Sequence, residues 1–174
     1  MMSVWKKVLW QQFGASIDML EAAICNCPDH LWENCLWEDP GMPRGSSAYW
    51  YVAYHTIFWM DLYLSGSVEG FAPPPPYNLD ELDPEGVLPN RVYSRPDLLG
   101  YLAHARQKCQ VTIESLTEER ANQVCDFSWG QIPFAGLLMD NMRHVQEHAA
   151  QLNMYLGQQA GLQSGWIAKH KGQN

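Results

Sequence analysis

The run His144-Val145-Gln146-Glu147-His148 places two imidazoles four residues apart in a long stretch of apolar periodicity. On a helix, four residues bring side chains back to within about 40° of each other, so both rings leave one face, one turn apart. Two imidazoles held that way can grip one divalent metal, provided another element brings a third ligand. His55 is the best third ligand, because it is the one histidine inside an otherwise apolar helical stretch. The others serve less well. His30 falls in a loop region, His104 lies off the apolar line of its helix and His170 belongs to the C-terminal tail. Three neutral imidazoles would leave coordination positions open to water or a substrate thiolate. Imidazole suits zinc, nickel, copper or iron, so ligand type alone does not choose the metal.

Asn141, His144 and His148 share the inward line of their helix with Leu137, Leu152 and Tyr155. Burying unpartnered polar groups costs about 1–3 kcal/mol each, so a polar stripe facing a core needs partners. A metal would occupy one nitrogen of each ring, and the second nitrogen would need an outer acceptor. Asn141, Glu147 and Gln151 stand within a turn and could serve. The same five residues also spell H-x-x-E-H, a metallopeptidase signature in which Glu147 would be the general base. No acidic third ligand follows downstream, so a solvent-facing Glu147 is the more ordinary expectation. Cys25, Cys27 and Cys35 lack a clear fourth ligand and the usual zinc spacing, and read as buried or free thiols.

Four helical segments must position these residues. Trp5, Leu9, Phe13, Ile17, Leu20 and Ile24 recur by fours and threes, which predicts a helix over 3–25. A second helix is expected after Ser46 or Ser47 as N-cap, with Gly66 as its stop. It is apolar on most of its surface, which predicts burial on several sides, one of them against another subunit. Residues 66–93, with the run Pro73–Pro76, read as a long, stiff crossover. Ser94, Pro96 and Asp97 mark the start of a third helix, and Thr117 caps a short following turn. The fourth runs from near Pro133 to about Gln159, with Gly161 beyond its end. No strand alternation stands out. The expected architecture is all-α, a four-helix bundle over residues 1–162 with a polar, frayed tail over 163–174.

Composition narrows the function classes. A chain of 174 residues with 47% hydrophobic and 17% charged residues folds as one ordered domain. A net charge of -8 argues against nucleic-acid binding, which relies on Lys and Arg. The apolar run after Lys6 and Lys7 is too short for a secretory signal, and the longest apolar stretch, Ala48 to Leu64, is too short to span a bilayer. Five cysteines, an odd count, point to reduced thiols. The expectation is a cytoplasmic protein with no membrane partner.

Three pieces of the chain resemble one known family. Ser47 to Asp61, with its single His55, is similar to that family's second helix. Ser94 to Leu102 is similar to the start of its third, and Arg143 to Leu152 to its fourth. Their order and spacing make the chain resemble the DinB-like superfamily, also described as YfiT-like metal-dependent hydrolases. The resemblance implies an up-down-down-up four-helix bundle, a homodimer, and one metal on three histidines that map onto His55, His144 and His148. It implies zinc or nickel first, with iron or manganese as alternatives. Some relatives act on low-molecular-weight thiols as S-transferases, and nothing in the chain selects among the activities.

The expected function is therefore a metal-dependent hydrolase or thiol S-transferase acting on a small molecule. Tyr51 and Trp59 are candidate pocket walls beside His55, and core packing is their ordinary role. The alternative is a non-enzymatic helical dimer or interaction module with a structural or vestigial metal.

Overall fold

The computed structural model describes residues 3–38 and 40–170. The apolar repeat that begins at Trp5 becomes α1, Val4–Asn26, with the Ser3 hydroxyl accepting from the Lys6 N–H. Its first turn stands in solvent, and burial starts at Trp10 and Phe13. Helix α2 spans Tyr49–Ser65 and ends on Gly66, whose positive φ of 79° closes the last turn without a Cβ penalty. The N-cap differs from the expectation. Ala48 takes that position without a side-chain bond, while the Ser47 hydroxyl donates to the Trp37 carbonyl in the preceding loop.

Helix α3, Arg95–Ser115, opens with the expected reciprocal capping box of Ser94 and Asp97, with Pro96 in the first turn. Thr117 caps the short α4, Glu118–Asn122. A two-stranded antiparallel hairpin follows, β1 (Val124–Phe127) and β2 (Gly130–Pro133). Periodicity predicts no strand here. In β1 only Cys125 and Phe127 point inward, so the alternation is two residues deep and too short to stand out. Helix α5, Phe134–Ala160, is the longest element and ends at Gly161, again with positive φ.

The chain is mainly helical, and α1 and α2 each pack against both α3 and α5. Tyr49, Tyr54, Phe58 and Met60 of α2 are fully buried within the single chain. These side chains find their partners within the chain, while Tyr51 and Trp59 of the same helix stay half-buried. The crossover is docked too. Phe71, Tyr77 and Tyr93 are buried, and Tyr77 stacks on Tyr101 of α3 with ring centroids 4.2 Å apart.

Residues 163–170 return along α1 instead of fraying. The His170 N–H donates to the Gln11 carbonyl, and its ring bonds Asp18 at 2.7 Å. Gly14 makes room for that ring, since a Cβ there would meet His170 at 2.7 Å. Residues 171–174 lie outside the described part of the chain. Among the described residues, no helix is long and apolar enough to cross a membrane.

Candidate metal centre

Helices α2 and α5 run side by side, and their contact brings His55 against His144 and His148. The three ring centroids lie 4.6–5.4 Å apart. One nitrogen from each ring can be chosen so that all three lie within 4.8 Å of one another. Among the described residues this is the one group of three or more His, Cys, Asp or Glu side chains gathered so closely. The Nε2 atoms of His55 and His144 are 3.4 Å apart. Two nitrogens each about 2.0–2.1 Å from a tetrahedral ion would be separated by about 3.4 Å, so this pair already has the spacing of two ligands.

Each ring has a different neighbour on its other nitrogen. Nδ1 of His148 lies 2.8 Å from the Gln151 side-chain oxygen. An amide oxygen only accepts, so Nδ1 carries the proton and Nε2 keeps its lone pair. Nδ1 of His55 lies 2.8 Å from Oε2 of Glu81, in the short 3-10 turn Asp80–Leu82 of the crossover. The Trp59 indole N–H donates to the same oxygen at 2.9 Å, and Tyr51 stands beside the same carboxylate. Nδ1 of His144 is buried without a hydrogen-bond partner.

Burial, followed by the nearness of His148 and His55, pushes the His144 pKa down to about 3. Burial and His55 also lower that of His148, against an opposing pull from Gln151. Both rings are therefore neutral at pH 7 and keep a lone pair for a ligand. For Glu81, burial works to raise the pKa, but the hydrogen bonds and charge at His55, with Tyr51 and Trp59, outweigh it and hold the carboxyl below its ordinary value. These donors fit a divalent cation. His144 and His148 offer neutral nitrogens, the Nε2 atoms of His55 and His144 have ligand spacing, and no Lys or Arg of the described residues forms an ion pair with the group.

The remaining sequence candidates fall elsewhere. Asn141 is buried on the same helix but donates to the Met60 carbonyl at 3.0 Å, so it braces α2 against α5. Glu147 is exposed and borders a cleft between α1 and α5 with Gln12 and Ser16, away from the general-base position of the metallopeptidase signature. The five cysteines are free thiols outside the cluster. His30 is exposed, His104 sits 4.0 Å from Asp61, and His170 is bound to α1. Tyr51 and Trp59 flank His55 with ring centroids 6.5 and 6.2 Å away, and both also pack against the core. Glu81 is the neighbour that sequence reasoning misses, since its only signal is an acidic pair in an irregular stretch.

A helical domain with three clustered histidines on two adjacent helices defines a class of protein that could hold a metal ion. The model of the DinB superfamily matches residues 12–152, most of the chain and all three histidines, and the protein belongs to that superfamily. No curated protein and no solved structure gives a significant match.

Proposed function

We propose that His55, His144 and His148 hold one divalent metal ion, zinc or nickel first, and that the protein is a metal-dependent hydrolase or thiol S-transferase. The observation that carries this reading is the convergence of three ring nitrogens within 4.8 Å. A divalent ion there would act as a Lewis acid and make a bound water or thiol nucleophilic at neutral pH. Three protein ligands leave positions free, as in catalytic sites and unlike closed structural ones.

The chain's own groups would shape what reaches the ion. Gln151 holds the His148 ring by its Nδ1. Tyr51 and Trp59 form aromatic flanks on the α2 side. Beyond Gln151 lies a cleft of about 270 Å³ lined by Leu36, Trp37, Met154 and Tyr155, suited to the apolar part of a small substrate. The protein works in the cytoplasm in this reading.

Elemental analysis tests it, on native protein and a His55→Ala/His148→Ala double variant purified without tag or chelating resin. Near one metal per chain in the native protein, lost in the variant, is the expected result. No metal in the native protein after incubation with zinc or nickel would remove the metalloenzyme.

A surface patch favours a second reading alongside the first. Val4, Trp5 and Val8 leave a strongly apolar area exposed at the start of α1. We propose that this patch contributes to a homodimer. In a non-enzymatic module that contact would be the function, with the metal structural or vestigial. Sedimentation of Trp5→Glu beside native protein checks it, and a native monomer would dismiss it.

A further inference from the structure

We propose that Glu81 is the positioning residue of the metal centre, a carboxylate that orients His55 and supplies the negative charge a divalent ion requires beyond its neutral ligands. This rests on the metal reading above. Two independent observations carry it.

The first is geometric. Oε2 of Glu81 lies 2.8 Å from Nδ1 of His55. A carboxylate oxygen only accepts, so the proton of a neutral His55 sits on Nδ1, and the Nε2 lone pair faces His144. The Trp59 indole bonds the same oxygen at 2.9 Å, four residues along α2 from His55, and so fixes the carboxylate relative to the helix that carries the ring. Carboxylate, imidazole and metal in line is the arrangement in which an outer group raises ligand basicity and fixes ring orientation.

The second is electrostatic. The Glu81 side chain is 4% exposed, and its one ion-pair contact among the described residues is His55. A buried carboxylate carries a desolvation penalty of several kcal/mol that a nearby cation offsets. A His55 ring that keeps its Nε2 lone pair for a metal carries no charge, so in the metal-bound centre neither it nor the indole supplies that cation. A divalent ion one ring-width beyond Glu81 would supply it, and the carboxylate would in turn reduce the positive charge gathered by three neutral ligands. The three ligands are then unequal. His55 is backed by a charge, His148 by an amide and His144 by no hydrogen bond. Because Glu81 comes from the crossover, the segment between α2 and α3 completes the centre built by α2 and α5.

The test uses the full chain with zinc and Co2+ as probes, in native protein, Glu81→Gln and Glu81→Ala. Zinc affinity is measured by competition with a chromophoric chelator, and circular dichroism of the metal-free proteins confirms that each is folded. The Glu81→Gln variant keeps an acceptor but loses the charge, so a loss of roughly tenfold is expected there and up to roughly 100-fold for Glu81→Ala. The visible bands of the Co2+-loaded variants should shift, because the field from His55 changes. A role confined to fastening the loop would leave those bands in place. If Glu81→Ala fails to fold, the near-isosteric Glu81→Gln decides alone. Affinity within about twofold of native, or weaker binding with unchanged bands at saturating Co2+, overturns the proposal. Native protein that binds zinc while both Glu81 variants bind equally well leaves the metal centre standing and removes Glu81 from it. Native protein that takes up no zinc removes both.

Discussion

Helix α2 carries two polar groups, the buried Asp61 and the half-buried His55, that face different neighbours. Asp61 turns toward α3, where Lys108 reaches its Oδ1 at 2.6 Å and the Tyr101 hydroxyl donates to its Oδ2 at 3.0 Å. His55 turns toward α5 and meets two more histidines. The Asp61 group is complete as it stands. Anion and cation are paired, Lys108 also donates to Ser65, and all of its contacts come from the protein. The histidine group gathers like ligands. His55 and His148 donate their Nδ1 protons to Glu81 and Gln151, and Nδ1 of His144 is left without a partner. A cluster that closes on itself serves the fold, and one that converges more lone pairs than its own N–H donors satisfy is arranged for something from outside.

The largest difference between the two regions should come from metal. Zinc at about 1,000 times its Kd should stabilise native protein by about 4 kcal/mol, a rise in melting temperature on the order of 10 °C. The His55→Ala/His148→Ala variant should show no such rise in a thermal scan, whereas a Lys108 variant should keep it.

Breaking the other cluster should cost fold and spare metal. Lys108→Met leaves the Asp61 carboxylate buried without its cation. A lost buried pair costs about 3–5 kcal/mol, and the 29% exposure of the Lys108 side chain reduces this to about 1–3 kcal/mol. Urea unfolding should show that loss with or without zinc, at unchanged zinc affinity. A drop in affinity would mean that the two clusters are coupled through α2.

Acid should act on the histidine region first. The folded pKa of His144, about 3, lies below the ordinary 6.5, so the unfolded chain binds the proton first. Stability present above pH 6.5 is therefore lost as pH falls toward 3. For metal-free protein this amounts to about 1.5 kcal/mol between pH 6.5 and 5, and His148 adds in the same direction. His144→Ala should flatten the urea midpoint over that window. An unchanged slope would show that the ring is not held neutral by burial. Glu81, held below its ordinary 4.5, contributes only at lower pH, where protonating it removes stability.

The smallest expected effect separates the outer groups within the histidine region. Gln151→Ala removes an uncharged acceptor from His148 and should weaken zinc by about tenfold or less, without altering the melting temperature of the metal-free protein. A loss as large as that from Glu81→Ala would erase the distinction between a charged and a neutral outer partner.

The contrast also tracks what can be read before folding. His144 and His148 are legible as a pair because helical periodicity fixes the angle between positions four apart. His55 stands out as a polar ring in an apolar helix. Gln151, one turn beyond His148, is legible by the same rule. Glu81 is not, because no periodic relation connects residue 81 of an irregular crossover to residue 55 of a helix. The hairpin and the docked tail escape for similar reasons. Two four-residue strands carry too few alternations to be recognised, and the tail's hold depends on the notch at Gly14 and on Asp18, both far away along the chain.

By itself the sequence determined the long helices, the Ser94–Asp97 capping box, the glycine stops at Gly66 and Gly161 and the pairing of His144 with His148. All of these follow from spacing, local hydrogen bonds and backbone freedom within one or two turns. Only the tertiary structure decided that His55 meets that pair, that Glu81 backs it, that Glu147 faces solvent and that Tyr49, Tyr54 and Phe58 of α2 are covered by their own chain. Those outcomes depend on which helix faces pack together, and burial of apolar surface settles that choice over the whole domain at once.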